Sequence, residues 1–317
     1  MTWVESISVV IPVYRSEESL PELTAALAAA LPAISARYEV IFVNDSSPDD
    51  SWTVIERLRR EYPWVRGIHM MRNYGQHNAL LCGIRSARHD IIVTMDDDLQ
   101  HPPNAIPVLL ETLNQGHDVV YGSPEREQHG LLRDLASQVT KLALQGSMGV
   151  NIARRVSAFR VFRTRLREAF ATYRSPYVNI DVLLTWGTTR FAAVTVRHVP
   201  RKYGQSTYTL RKLITHALNM ITGFSVLPLQ FASLLGFAFA GFGALVLVYV
   251  IGRSLLEGIV VPGFAFLAST VAIFAGVQLF ALGIIGEYLA RIHFRTMDRP
   301  SYTVRETTDD APEQDNP

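Results

Sequence analysis

The stretch Asp90–Gln100, DIIVTMDDDLQ, joins an apolar run directly to three consecutive carboxylates. The run Asp90–Met95 is short and β-branched, which is typical of a buried strand. The acidic triplet therefore begins where that strand ends. Three adjacent carboxylates repel one another and destabilise their loop unless a cation offsets their charge. This stretch thus predicts a strand and a charged site at its carboxyl end.

The region before this stretch alternates between strand and helix periodicity. Short β-branched runs occur at Ser6–Val13, Glu39–Asn44 and Val65–Met70, and apolar residues recur at helical spacing in Glu17–Leu31, Asp49–Tyr62 and Gln76–Arg88. Alternating strands and helices predict an α/β fold with a mostly parallel sheet. Ligands of such sheets bind beyond the carboxyl ends of the strands. The segments there are polar: Tyr14–Glu18, Asn44–Asp50, Arg72–Gly75 and Asp96–Gln100.

The acidic triplet has the pattern of a metal site. At an extended strand end, residues two apart point the same way, so Asp96 and Asp98 can converge on one cation with Gln100 as a neutral oxygen donor. Oxygen ligands suit Mg²⁺ or Mn²⁺, which commonly bridge to diphosphate oxygens. The alternative is a solvated acidic turn before a helix at Pro103, where carboxylates favour the helix N-terminus.

Composition predicts a membrane-bound protein. Of the 317 residues, 48% are hydrophobic and 19% are charged, and no charged residue occurs from Leu213 to Gly252 or from Gly258 to Gly286. Each window exceeds the roughly 20 apolar residues that cross a bilayer. Buried helices of a large soluble core are the alternative. Lys and Arg cluster before and after the pair of windows, whereas the connecting loop holds only Arg253, so both termini are expected in the cytoplasm.

We therefore expect four parts. A cytoplasmic α/β domain covers 1–209, an interfacial amphipathic helix 210–226, two transmembrane helices 227–290, and a cytoplasmic tail 291–317 that is disordered at its end, from Glu306 onward. The N-terminus has too short an apolar run for a signal peptide.

Several classes of function are disfavoured. Lys and Arg total 30 against 29 Asp and Glu, and no basic stripe supports nucleic-acid binding. The single cysteine, Cys82, excludes an internal disulfide framework and a thiolate metal cluster. No glycine-rich phosphate loop occurs, so a bound diphosphate would be neutralised by metal and arginine.

Four motifs together resemble the inverting glycosyltransferases of family 2, which have the GT-A fold. They are IPVY at 11–14, VNDSS at 43–47, RNYG at 72–75 and MDDDLQHPP at 95–103. GQSTY at 204–208 and GEYL at 286–289 further resemble the polyprenyl-phosphate glycosyltransferases, such as dolichyl-phosphate mannose synthases and bactoprenol glucosyltransferases. The stretch 72–83 is most similar to the undecaprenyl-phosphate aminoarabinose-type transferases.

The resemblance implies transfer of a sugar from a nucleotide-diphosphate sugar to a polyprenyl (undecaprenyl-type) phosphate, at the cytoplasmic face of the inner membrane, with Mg²⁺ or Mn²⁺. By analogy it also implies homo-oligomers. It assigns Pro12, Tyr14 and Asp45 to the nucleoside, with Arg72 and Asp97 as further donor-binding candidates. It assigns the metal to Asp96, Asp98 and Gln100. The candidates for binding donor or lipid phosphate are Arg133, Arg201 and Ser206. An arginine at a strand end, such as Arg72, can instead brace neighbouring loops.

The chain also departs from the family pattern. Arg15-Ser16 stands where relatives often have Asn-Glu, so the acidic nucleoside contact is missing unless Glu17 or Glu18 replaces it. Ala158 stands where many relatives have an Asp that has been considered a base. A lipid phosphate has a second pKa near 6 and is largely dianionic at neutral pH, so it needs no base. Ala158 thus favours a phosphate acceptor. The alternative is that the protein has lost this Asp because it is inactive.

Two rival functions remain. A processive polysaccharide synthase would usually carry a QxxRW motif and more membrane spans, neither of which occurs here. A non-catalytic membrane scaffold is disfavoured by the retention of Asp96, Asp98 and Gln100, since the triplet costs stability without a cation. Two histidines, His77 and His101, flank the expected site, but a lone histidine is more often part of a helix or turn than a catalyst.

Overall fold

The computed structural model describes residues 6–124, 152, 155–199, 227–257 and 263–309. These divide into two compact units, one of Met1–Leu213 with Asp298–Pro317 and one of Ile214–Met297. The first unit contains the strands β1 (Ile7–Val13), β2 (Tyr38–Asn44), β3 (Val65–Met70), β4 (Ile91–Thr94), β5 (Val119–Pro124), β6 (Arg160–Arg163), β7 (Phe191–Val196) and β8 (Val304–Thr307). Its helices are α1 (Ser19–Ile34), α2 (Ser51–Glu61), α3 (Gln76–Ser86), α4 (Ile106–Asn114) and α5 (Ile180–Thr185), with 3₁₀ turns at Pro103–Ala105 and Thr164–Phe170.

All eight strands form one mixed sheet in the order β7-β5-β6-β4-β1-β2-β3-β8. The strands β4, β1, β2 and β3 are parallel neighbours, as the alternation of strands and helices predicts. Because β6 is antiparallel to both β4 and β5, and β7 is parallel to β5, six strands end at one edge of the sheet. We call this the carboxyl edge. It is the place where ligands of such sheets bind.

The core lies on both faces of the central strands. Alternate residues of β1, such as Val9 and Ile11, belong to the same buried cluster as Leu23 and Leu27 of α1. The opposite face of β1 meets α3, where a Cβ added at Gly83 would lie 2.3 Å from Val10 Cγ1. Only a glycine allows α3 to approach the sheet this closely. The start of α3 is thereby held at the carboxyl edge.

The second unit contains two long apolar helices, α6 (Leu227–Glu257) and α7 (Phe264–Thr296). Both are long and apolar enough to cross a membrane, and none of either apolar window is buried. The ring of Phe239 lies edge-on to that of Phe274, with centroids 5.9 Å apart. The second helix continues to Thr296, beyond the expected end at residue 290. The interfacial helix expected at 210–226 lies outside the described residues.

The expectation of disorder from Glu306 onward does not hold for 306–309, the part of that segment that the structure describes. Glu306 and Thr307 belong to β8, which pairs antiparallel with β3 at the sheet edge. Asp309 then bonds Arg66 and Arg88, each at 2.8 Å. The acidic composition that indicated a solvated tail instead supplies partners for arginines more than 200 positions earlier, and local composition cannot reveal such partners.

Candidate active site

Asp97 joins the loops that follow β4 and β1. Its Oδ2 accepts a hydrogen bond from Ser16 Oγ and another from Tyr14 N at 3.3 Å. Burial raises the pKa of Asp97 to about 6, although the Ser16 hydroxyl opposes this shift. Ser16, which the sequence comparison counted as the loss of an acidic residue, therefore has a structural use. Beside it, Arg15 has a left-handed φ of 60°.

Asp45 joins the loops that follow β2 and β3. One carboxylate oxygen accepts from Tyr74 N and the other from Gly75 N, both at 2.7 Å. Gly75 has a φ of +92°, a conformation that glycine adopts without strain. Burial raises the pKa of Asp45, and the two backbone donors oppose that shift. Each oxygen keeps a second lone pair, so the expected contact with a nucleoside stays a prediction, while the observed contacts fix the 72–75 loop.

The three expected metal ligands lie together in the loop after β4. Asp96 Oδ1 accepts from Gln76 Nε2 at 2.7 Å, and Asp98 Oδ1 accepts from the backbone N–H of Gln100 at 3.1 Å. Leu99, between the last two, has a φ of 62°, which turns the chain back on itself. In the described ranges, no three His, Cys, Asp or Glu side chains form a complete metal centre.

The donor chemistry nevertheless fits a hard divalent cation. The loop contains two carboxylates and one amide oxygen, and Asp98 is only 8% exposed. Mg²⁺ is commonly held by one or two carboxylates, with water and substrate phosphates completing its shell. Metal binding at Asp96, Asp98 and Gln100 therefore stays a prediction that the oxygen set supports.

Two histidines lie against this loop. His101 is 4% exposed, stacks on Phe159 at 5.3 Å between ring centroids and meets the edge of His198 at 4.7 Å. Burial lowers the pKa of His101 to about 4, so its ring is neutral at physiological pH. His198 Nε2 lies 3.3 Å from Gln100 Oε1. The sequence analysis did not identify His198. The available signal was the apolar run Phe191–Val196, which forms β7 and ends two residues before His198 at the carboxyl edge.

The remaining expected site residues have different surroundings. Tyr14 is 42% exposed and lies under the guanidinium of Arg15, 5.6 Å from the ring centroid. Arg72 similarly covers the ring of Tyr74 at 4.5 Å. Pro12 is a buried residue of β1, paired with Val43 of β2. Arg133, Arg201 and Ser206 lie outside the described residues.

A buried ion pair lies beside the site and was not expected from the sequence. Arg160, 2% exposed, donates to Asp181 Oδ1, and Tyr121 OH donates to the same oxygen at 3.1 Å. Two residues before Arg160, the carbonyl of Ala158 accepts from Thr94 Oγ1 at 2.8 Å. This bond places the Ala158 backbone at the end of β4, two residues before Asp96.

Comparison with known proteins gives consistent matches. The family model Glycosyl transferase family 2 matches residues 8–173. The undecaprenyl-phosphate 4-deoxy-4-formamido-L-arabinose transferase of Photorhabdus laumondii is 32% identical over 316 residues, covering 99% of this chain and 97% of the relative. The protein of the same name from Shewanella sediminis is 34% identical over 306 residues, covering 96% and 92%.

Among solved structures, glucosyl-3-phosphoglycerate synthase from Mycobacterium tuberculosis, in complex with Mn²⁺, UDP and glucosyl-3-phosphoglycerate, superposes with a TM-score of 0.51. It is 18% identical and covers 69% of this chain and 78% of that chain. At this identity the similarity concerns the fold.

Proposed function

The chain belongs to glycosyl transferase family 2, and from this premise we propose that it transfers a sugar from a nucleotide-diphosphate sugar to a polyprenyl phosphate, with inversion at the anomeric carbon. The observation that carries the acceptor is the match, over 92–97% of their length, to relatives named undecaprenyl-phosphate transferases. The carboxyl edge supports it, since the acidic loop and the loops after β1, β2 and β3 meet there.

The reaction requires no base from the chain. A phosphate monoester has a second pKa near 6, so an oxygen of the lipid phosphate is already a nucleophile at neutral pH. That oxygen bonds to the anomeric carbon as the bond from this carbon to the nucleoside diphosphate breaks, and the nucleoside diphosphate leaves with the electron pair. Ala158 is compatible with this chemistry, because the dianionic phosphate carries no proton that a carboxylate at this position would have to remove.

The chain's own residues position the reactants. Asp97 and Asp45 tie four loops together through backbone and hydroxyl donors, which holds the site in one arrangement before ligands bind. Asp96, Asp98 and Gln100 would hold Mg²⁺ or Mn²⁺. When bound, this cation supplies charge stabilisation to the leaving diphosphate. Arg72 at the rim, and Arg133, Arg201 and Ser206, are proposed to bind donor or lipid phosphate.

The proposed location is the inner membrane, with the first unit and both termini in the cytoplasm. Two helices long and apolar enough to span support the membrane location, and the Lys and Arg flanking the pair support the orientation. The proposed division is a GT-A catalytic domain at 1–209, an interfacial helix at 210–226, a membrane domain from 227 and a C-terminal segment that contributes β8. Membrane lipid would surround the two apolar helices. Assembly into homo-oligomers is proposed by analogy with the family alone.

The direct test is glycolipid synthesis. Purified protein with Mn²⁺ and undecaprenyl phosphate is given a panel of UDP-, GDP- and dTDP-sugars, and lipid-linked sugar is followed by mass spectrometry. We expect product from one donor with the wild type and none with Asp98→Ala, while Glu61→Gln, an exposed change on α2, retains activity. No product from any donor, together with no Mn²⁺-dependent nucleotide binding, would favour the scaffold function instead.

A further inference from the structure

Arg155 is held at the carboxyl edge by two hydroxyl groups. Its Nε donates to Ser123 Oγ at 2.9 Å and its Nη2 donates to Thr195 Oγ1 at 2.8 Å. Ser123 of β5 and Thr195 of β7 are register partners in parallel strands. Their side chains therefore emerge side by side on one face, one residue before each strand ends. The guanidinium is thereby fixed at the end of the sheet where the acidic loop lies.

Half-buried Arg155 lacks the acidic partner that two other arginines of this unit have, half-buried Arg66 and buried Arg160. Arg66 pairs with Glu39 at 2.7 Å, and Arg160 pairs with Asp181. Within residues 6–124 and 155–199, no carboxylate lies within ion-pair distance of Arg155, and its Nη1 donates to no protein acceptor. Hydroxyl partners orient a guanidinium without neutralising it, so its charge remains available to an anion.

The chain on both sides of this contact leads to the acidic loop. Three residues after Thr195, His198 contacts the Gln100 side chain, and the backbone N–H of Val199 donates to the Gln100 carbonyl at 3.1 Å. Three residues after Arg155, the carbonyl of Ala158 is bonded to Thr94 of β4. Arg155 is thus bracketed by direct contacts to the segment that carries Asp96 and Asp98.

Resting on the glycosyl transfer proposed above, we infer that Arg155 binds a phosphate group at the carboxyl edge. The phosphate belongs either to the lipid acceptor or to the donor diphosphate. The planar guanidinium, with one edge fixed by Ser123 and Thr195, presents its other N–H groups to phosphate oxygens, a geometry that arginine suits better than lysine. Because Ala158 replaces a carboxylate nearby, no negative side chain at that position competes for the charge.

The test compares Arg155→Gln and Arg155→Lys with Arg190→Gln. Arg190 is a matched control, because it bonds Asp118 at 3.0 Å at the opposite end of the same two strands. For each variant, kcat and the KM of undecaprenyl phosphate and of the donor are measured, with the Kd of the nucleoside diphosphate and Mn²⁺ by calorimetry. We expect Arg155→Gln to raise the constant for one phosphate-bearing ligand about tenfold or more, Arg155→Lys to raise it less, and Arg190→Gln to leave it unchanged.

The two sources of phosphate give different results. A higher acceptor KM with an unchanged nucleotide Kd assigns Arg155 to the lipid phosphate, whereas a higher donor KM and nucleotide Kd assign it to the diphosphate. A lower kcat with both KM values and the Kd unchanged would overturn the inference. If the wild type makes no glycolipid, the proposed function fails separately, and binding measurements then decide. Weaker binding of the nucleoside diphosphate or of undecaprenyl phosphate by Arg155→Gln supports the contact, and equal binding of both ligands overturns it.

Folding of the variants is checked by thermal unfolding. If Arg155→Gln unfolds at a much lower temperature, Thr195→Val provides the same comparison. This variant keeps the charge of Arg155 and a β-branched side chain at position 195. It removes one of the two hydroxyl groups that orient the guanidinium. We expect Thr195→Val to raise the KM or Kd of the same phosphate-bearing ligand that Arg155→Lys affects. An unchanged KM and Kd for that ligand would count against the inference.

Discussion

Ser16 gives Asp97 a structural role through one side-chain hydrogen bond. Its hydroxyl donates to Asp97, and Asp97 in turn accepts from the backbone of Tyr14. The contact links loops 81 positions apart, and it uses a residue whose type, taken alone, indicates only a turn. A local sequence pattern could not have identified it, because neither residue specifies the other's position.

We expect Ser16→Ala to lower the free energy of unfolding by about 1–2 kcal/mol, since it leaves a buried carboxylate with one donor fewer. Nucleotide binding should weaken as well, because the loop carrying Tyr14 loses its bond to the acidic loop. Urea unfolding and calorimetry measure the two effects. Ser86→Ala is the control, as the Ser86 hydroxyl bonds only Cys82 O within its own helix. Equal effects of the two variants would contradict the role given to Ser16.

Glu39 predicts a specific dependence of stability on pH. Burial by itself raises its pKa, but hydrogen bonds from Ser8, Arg66 and the Arg88 backbone lower the pKa below its usual value. The unfolded state therefore binds the proton first as the pH falls. The stabilisation is fully present above the unfolded pKa of about 4.5 and is lost as the pH falls below it.

We expect Glu39→Gln to destabilise the protein at pH 7 and to flatten the loss of stability between about pH 5 and pH 3. Chemical unfolding at a series of pH values measures this. A variant whose stability falls with acid as steeply as that of the wild type would show that Glu39 does not carry the effect.

At the scale of secondary-structure elements, α3 depends on the absence of a side chain. A Cβ at Gly83 would overlap Val10 and would lie 3.0 Å from Val43 Cγ2, both in strands of the central sheet. We expect Gly83→Ala to cost about 1–3 kcal/mol through overpacking. It should also weaken nucleotide binding, because Gln76 at the start of α3 bonds Asp96. Gly236→Ala is the control, since an added Cβ there meets no atom within 4 Å. A neutral Gly83→Ala would contradict this packing.

The edge strand β8 is followed by Asp309, whose ion pairs hold the strand against the sheet. Asp309 bonds Arg66, which is mostly buried, and also Arg88. We expect Asp309→Asn to lower stability by about 1 kcal/mol, and Asp298→Asn, which breaks an exposed pair with Arg174, to have little effect. Thermal unfolding in low and high salt measures both. An Asp309→Asn protein as stable as the Asp298→Asn protein would indicate that β8 is held by its backbone pairing alone.

At the scale of the whole molecule, predictability follows the range of the contacts. The strands β1 to β4 and their helices were predicted because each element carries its own periodicity. The acidic loop was predicted because Asp96 to Asp98 follow a strand directly. Three contacts were not predicted: the pairing of β8 with β3, the Arg160–Asp181 pair and the contact of His198 with Gln100. Each joins residues between 21 and 239 positions apart that share no local pattern.

The orientation in the membrane has a direct chemical test. Cys82, the only cysteine, is buried and burial raises its pKa to about 12, so a maleimide reagent should label the wild type poorly. We expect Leu256→Cys, near the connecting loop, to react with an impermeant maleimide in intact cells, and Asp298→Cys to react only after permeabilisation. The opposite pattern would reverse the proposed topology.

The late position of β8 also has a consequence for biosynthesis. The strand β3 is complete at Met70, but its outer partner ends at Thr307, so the two ends are 237 positions apart. At about 5–20 residues per second, the ribosome needs on the order of 10 to 50 seconds to cover that distance. Both long apolar helices emerge during this delay. The catalytic sheet can therefore acquire its last strand only after the segments that would enter the bilayer have been made, so that the finished enzyme arises at the membrane.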